Sequence, residues 1–184
     1  GINLGIFICE DIWVNQTITE IGEQQIDLAV SLNASPFDIN KINEREKKAI
    51  EFSKSIAAPL IYVNQVGGQD EIVFDGSSFL NDQEKVIYKF KHCQSESKEF
   101  LFDEDHKFLI EDTFSDHTDM NDVIYSSLIL GLRDYVEKNN FPGVVLGISG
   151  GIDSAFSAAV ATDALGPSRV KGILMPSKYT SIES

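Results

Sequence analysis

The stretch GVVLGISGGIDSAFSAAVATDALG, Gly143–Gly166, decides how this chain is read. GVVLGIS is a short apolar run of the kind that forms a buried parallel strand. SGG supplies a tight turn, and Asp153–Leu165 reads as a helix ended by Gly166-Pro167. RVKGILM follows as the next strand, Arg169–Met175. Strand, loop, helix and strand in that order open a doubly wound α/β domain.

The loop inside this unit carries chemistry. Gly150 and Gly151 have no Cβ, so the backbone can turn sharply and bring its amides against phosphate oxygens. The helix beginning near Asp153 points its free N–H groups and positive dipole end at the same spot. Ser149 and Ser154 add hydroxyl donors, and Asp153 suits either a Mg²⁺ ligand or a cap for the helix. No Lys-Ser/Thr pair follows the glycines, so this is not a Walker A loop, and its spacing does not match GxGxxG. Gly147, Ile148, Ser149, Gly150, Gly151, Ile152, Asp153 and Ser154 together resemble the SGGxDS loop of the N-type ATP pyrophosphatases. That resemblance implies ATP as cosubstrate, cleaved between its α- and β-phosphates. A ligand-free Gly-rich turn is the bland alternative.

Working outward, NDVIYSSLILGLRDYVEKNN reads as a helix with Val123, Leu128, Leu132, Tyr135 and Val136 among its apolar positions, stopped by Asn139-Asn140 and Pro142-Gly143. Before it, acidic residues crowd Gln94–Asp122 against only Lys98 and Lys107, which marks a solvated connection with at most a short strand. A domain boundary is expected near Asp116–Asn121, dividing the chain into 1–118 and 119–184. The first part reads as a buried strand at Ile2–Ile8, a helix near Gln16–Gln25, a strand at Asp27–Asn33, a helix at Ile42–Ala57 and a strand at Pro59–Gln65. A strand pair follows within Ile72–Phe90, around Asn81–Glu84.

Composition narrows the function class. A net charge of −14 argues against a nucleic-acid surface, and no apolar run reaches the ~18 residues of a membrane span. Two cysteines cannot build a disulfide framework, which points to a reducing cytoplasm. The chain has no initiator Met or leader peptide, and it starts and stops beside core strands. It is therefore expected to be an internal piece of a longer protein, inactive by itself.

Cys9 ends the first strand and enters CEDIW. A thiol there can act as a nucleophile, although a lone Cys beside apolar residues is more often a small core side chain. CEDIW, NASPF, YVNQVGGQDE and FDGSSF resemble, in order, the second half of a nitrilase-superfamily amidase. The resemblance implies a Cys–Glu–Lys triad, with Cys9 as nucleophile and with the Glu and Lys upstream of it. Glu10 is not that base. Cys93 carries no motif and is read as structural, while His92, His106 and His117 lack metal-ligand spacing and are read as surface residues.

A nitrilase-like amidase followed by SGGIDS resembles the glutamine-dependent NAD⁺ synthetase family. The fold implied is α/β: a partial nitrilase-like αββα sandwich, then the start of a doubly wound, Rossmann-like domain of the adenine nucleotide alpha hydrolase type. The activity implied is release of ammonia from glutamine, adenylation of deamido-NAD⁺ with MgATP, and amidation to NAD⁺ by a cytoplasmic homo-oligomer. Ser35 in NASPF and Lys41 match positions that hold glutamine, and an ordinary helix-start lysine is the even alternative for Lys41. Met175 is expected to offer backbone atoms to adenine. Asn64–Gly68 are read as shaping the amidase edge or as a plain turn, and Tyr179–Ser181 match a family motif without an assigned role. The competing readings are another amide-forming ATP pyrophosphatase, such as asparagine or GMP synthetase, and a silent nucleotide-binding module.

Overall fold

The computed structural model describes residues 1–21, 24–103, 107–110 and 119–175. His106, His117 and Tyr179–Ser181 lie outside them. The fold is α/β and clusters into two compact units, Gly1–Val66 with Phe74–Met120, and Gly67–Val73 with Asn121–Ser184.

The first unit is built on a five-stranded sheet. Its strands are β1 (Leu4–Ile8), β2 (Leu28–Asn33), β3 (Leu60–Asn64), β6 (Phe79–Asn81) and β7 (Val86–Lys89), in the order β1-β2-β3-β6-β7. β1, β2 and β3 run parallel, while β6 and β7 join antiparallel. Helix α1 (Asn15–Ile21) follows a 3-10 turn at Cys9–Ile12, and α2 (Lys41–Ser55) links β2 to β3. The helix α2 buries Ile42, Arg45, Ala49 and Phe52, a stripe at helical spacing. Ala49 and Phe52 meet Phe7, Ala29, Leu60, Tyr62 and Phe79 in one core. Each large apolar side chain buried there contributes roughly 1.5–3 kcal/mol.

The expectation of a fully buried first strand is corrected. β1 is an edge strand whose Phe7 faces the core, whereas Ile6 and Ile8 are 63% and 65% exposed. An apolar run reports that both faces are apolar, not that both are packed. The same holds for β10 (Val144–Ile148), where Val145 is 64% exposed. A second difference concerns Asn64–Gly68. It is not a turn: β4 (Val66–Gln69) and β5 (Ile72–Asp75) form a hairpin there. Among its described residues, the acidic stretch holds the two-residue strands β8 (Leu101–Phe102) and β9 (Phe108–Leu109), paired antiparallel, ahead of the helix that begins at Met120.

In the second unit α3 (Met120–Lys138) ends at Asn140, which takes the left-handed conformation with φ 56°. Gly68 of the same unit lies against α3. Its N–H donates to Asp134 Oδ2 at 2.8 Å, and Lys138 Nζ donates to its carbonyl. β10 pairs in parallel with β11 (Val170–Leu174) through α4 (Ile152–Leu165), the strand–helix–strand unit expected from the sequence. The turn before β10 is closed by Arg169, whose Nε donates to Pro142 O at 3.0 Å and whose Nη2 donates to Phe141 O at 2.8 Å. A Cβ on Gly143 would stand 2.2 Å from the Arg169 carbonyl oxygen. Gly143→Ala is therefore expected to destabilise this unit by about 3 kcal/mol, read as a lower denaturant midpoint.

Candidate active site

Cys9 sits where β1 turns into the 3-10 segment, and its φ of 48° is in the left-handed region. A non-glycine residue there is strained, and such strain is held only where neighbours enforce it. Here Asp11 Oδ2 accepts the Ile8 N–H at 2.8 Å and Glu10 O accepts the Trp13 N–H at 2.8 Å, which clamps the turn from both sides. The acidic residue of CEDIW at position 11 thus serves the turn.

The thiol opens on a cavity of about 380 Å³ at the carboxyl ends of the parallel strands, the usual place for a site in an α/β sheet. Ser35 and Lys41 line it with Cys9, as do Glu10, Glu44, Asn33 and Tyr62. The three residues singled out in the amidase half therefore share one cavity. Larger cavities of about 540 and 410 Å³ exist in the first unit, but neither is lined by a cysteine.

Ser35 is held from two directions. Its N–H donates to Asn64 Oδ1 at 2.9 Å, and Asn64 Nδ2 donates back to its carbonyl at 3.2 Å. On the other side Arg45, 1% exposed, donates through Nε to Ser35 Oγ at 3.0 Å. Arg45 Nη2 donates to Ser35 O and Pro36 O at 2.9 and 2.6 Å, and Nη1 donates to both oxygens of buried Asp75 at 2.8 and 3.1 Å. All three nitrogens of the guanidinium thus donate to protein acceptors, the condition under which a buried charge is tolerable. Asp75 accepts further from Ser77 Oγ, and His92 Nδ1 lies 2.6 Å from that hydroxyl. His92 is accordingly half-buried in this network and not a plain surface residue. Cys93 is buried, as expected of a structural thiol, and its N–H donates to Asp75 O at 2.8 Å.

Sequence reasoning missed Arg45 and Tyr62. A signal for Arg45 exists: it occupies the i+3 place after Ile42 and the i−4 place before Ala49, on the apolar stripe of α2. A cation there must have a buried partner. Tyr62 carries no such mark, since YVN is ordinary strand sequence. Burial pushes its phenol up to about 12, with the Arg45 cation pulling the other way. Raised above its unfolded value near 10, this group favours folding below pH 10, and that contribution is lost as pH climbs toward 12. Tyr62→Phe is expected to flatten the fall in stability across that window, measured by denaturant melts at stepped pH.

The phosphate-type loop forms at the matching end of β10. Gly150 has φ 83°, a conformation that favours glycine, and Gly151 is the N-cap of α4 without a side-chain cap. Asp153 is therefore not the helix cap, one of the two roles considered for it, and the helix starts one residue earlier at Ile152. Ser154 Oγ donates to Gly151 O at 2.9 Å and lies 3.2 Å from Ser149 Oγ. The exposed loop is thus knit by its own hydroxyls, and Ile152 and Asp153 of the first turn of α4 are exposed beside it. Met175 follows β11 directly, 72% exposed, with its methyl beside Gly147. Among the described residues no group of three or more His, Cys, Asp or Glu is placed to hold a metal. Nor is any described helix long and apolar enough to cross a membrane.

Comparison with known proteins agrees in both halves. Residues 124–184 match the NAD synthase family model. The glutamine-dependent NAD(+) synthetase of Acinetobacter baylyi is 40% identical over 182 residues, covering 98% of this chain and 34% of the relative. That of Synechocystis is 38% identical, covering 100% and 35%. The structure of the glutamine-dependent NAD+ synthetase from Acinetobacter baumannii in complex with ADP superposes with a TM-score of 0.90 at 38% identity, over 98% of this chain and 34% of that one. The chain thus spans about a third of the length of the curated relatives it matches. By sequence and fold together, the chain is similar over nearly its whole length to about a third of these glutamine-dependent NAD(+) synthetases.

Proposed function

We propose that this chain serves a full-length, cytoplasmic, homo-oligomeric glutamine-hydrolysing NAD⁺ synthetase, with residues 1–118 in its glutaminase and 119–184 in its ATP-pyrophosphatase. One observation carries the reading: a cysteine cavity and an SGGIDS loop, each at the carboxyl ends of parallel strands, stand on one chain.

In the glutaminase, the Cys9 thiolate attacks the side-chain amide carbon of glutamine. An S–C bond forms, the C–N bond breaks, and ammonia leaves with a proton; water then hydrolyses the thioester to glutamate. The family pattern places the base and the lysine of this step N-terminal to Cys9. Ser35, fixed by Arg45 and Asn64, and Lys41 hold the amino-acid substrate.

In the synthetase, a carboxylate oxygen of deamido-NAD⁺ attacks the α-phosphorus of ATP and pyrophosphate departs. Ammonia then displaces AMP from the acyl adenylate, leaving NAD⁺. The first-turn amides of α4 and the Ser149 and Ser154 hydroxyls would receive the pyrophosphate charge. Mg²⁺ is usually bound by one or two carboxylates with the substrate's phosphates, so the single carboxylate of Asp153 fits that arrangement. The ion would supply charge neutralisation at the leaving group.

ATP–pyrophosphate exchange dependent on deamido-NAD⁺ tests this. Asp153→Ala is expected to lower the exchange rate by on the order of 10²–10³. Exchange that required aspartate or xanthylate instead would overturn the NAD⁺ assignment.

A further inference from the structure

Among the described residues, two buried side-chain polar groups lack a hydrogen-bond partner, Tyr62 Oη and Asn81 Nδ2. Asn81 lies beside the β6–β7 turn, opposite Leu60 at the start of β3. Tyr62 lines the cavity that holds Cys9.

The ring of Tyr62 is fixed by packing. It stands between Ser31 and Phe79 in the sheet, is 0% exposed, and stacks on Phe79 with centroids 4.8 Å apart and planes 5° from parallel. The neighbouring Ser35 hydroxyl accepts from Arg45 Nε, and its interaction with the phenol, which pulls the titration of Tyr62 down, falls short of hydrogen-bond geometry. A buried phenol without a partner costs roughly 1–3 kcal/mol. Phenylalanine would make the same stack without that cost, so the hydroxyl adds nothing to the aromatic packing of the core. Its position beside the nucleophile gives it another use. A neutral phenol is a donor as well as an acceptor, and the burial that raises its titration keeps it protonated wherever the enzyme works.

We propose that the Tyr62 phenol is a substrate-binding group, donating its O–H to an oxygen of the amino-acid amide bound against Cys9. This rests on the glutaminase reading of the Cys9 cavity. A hydrogen bond made only when substrate arrives turns an unpaired buried donor into a paired one. A ligand lacking an acceptor oxygen at that point leaves the donor unpaired, so the group discriminates as well as binds.

The test is Tyr62→Phe in the full-length enzyme, with glutamine-driven synthesis, ammonia-driven synthesis and thermal melting measured side by side. The expected result is a fall of about 10- to 100-fold in kcat/KM for glutamine, carried largely by KM. Ammonia-driven synthesis is the control for folding, and the melting temperature is expected to hold or rise because the unpaired hydroxyl is gone. Glutamine kinetics within about twofold of the parent overturn the proposal, as does a lowered melting temperature with both activities falling together. Cys9→Ala in the same assays separates the two readings. If Cys9→Ala still uses glutamine, the glutaminase reading fails. If Cys9→Ala is dead on glutamine while Tyr62→Phe is normal, only the role of Tyr62 falls.

Discussion

On the function proposed for it, Cys9→Ala in the full-length protein is expected to lower glutamine-driven NAD⁺ synthesis by on the order of 10⁴-fold or more, while ammonia-driven synthesis persists. The size follows from chemistry. Without the sulfur there is no thioester, and water must attack an unactivated amide directly. The persistence follows from the architecture, because the loop at Gly147–Ser154 belongs to a separate compact unit with its own sheet. Alanine also relieves little strain at φ 48°, since it still carries a Cβ, so the fold is expected to survive. Equal loss of both activities would end the division of labour between the two halves.

The fold was legible where local chemistry is strict. SGGIDS needs Gly150 at positive φ and a helix behind it, and both are present. The breaks at Asn139-Asn140 and Gly166-Pro167 fall where the helices stop. What was not legible is which face of an apolar strand is covered, because Ile6 and Phe7 look alike until the sheet is assembled. The hairpin at Val66–Asp75 was hidden for a related reason. Its glycines signal a break in a strand as readily as close packing, and here Gly68 packs so near Gly131 that an added Cβ would meet that residue's Cα at 3.0 Å.

The candidate site divides in the same way. Cys9, Ser35 and Lys41 were identified by motif, and the structure places them around one cavity. The groups that hold them were not. Arg45 reads as one more charge in KINEREKK, since Glu44 and Lys47 on either side of it are exposed. Its partner, Asp75, lies 30 residues away on another element, and pairing at that range is a property of the tertiary fold.

That pair sets up the second large effect. Arg45→Ala removes a guanidinium with five acceptors and leaves Asp75, 0% exposed, as an unpaired buried charge. The expected cost is about 3–5 kcal/mol, read as a melting temperature lower by about 10 °C. Stability alone would not distinguish scaffolding from a role at the site, but a paired replacement does. In Arg45→Met with Asp75→Leu both charges go together and the volume is kept, so most of the lost stability is expected to return. The hydrogen bonds to Ser35 Oγ, Ser35 O and Pro36 O do not return with it. KM for glutamine should therefore stay raised by about tenfold in the double variant while its melting temperature recovers. Recovery of both together would mean that Arg45 supports the core and does not position Ser35.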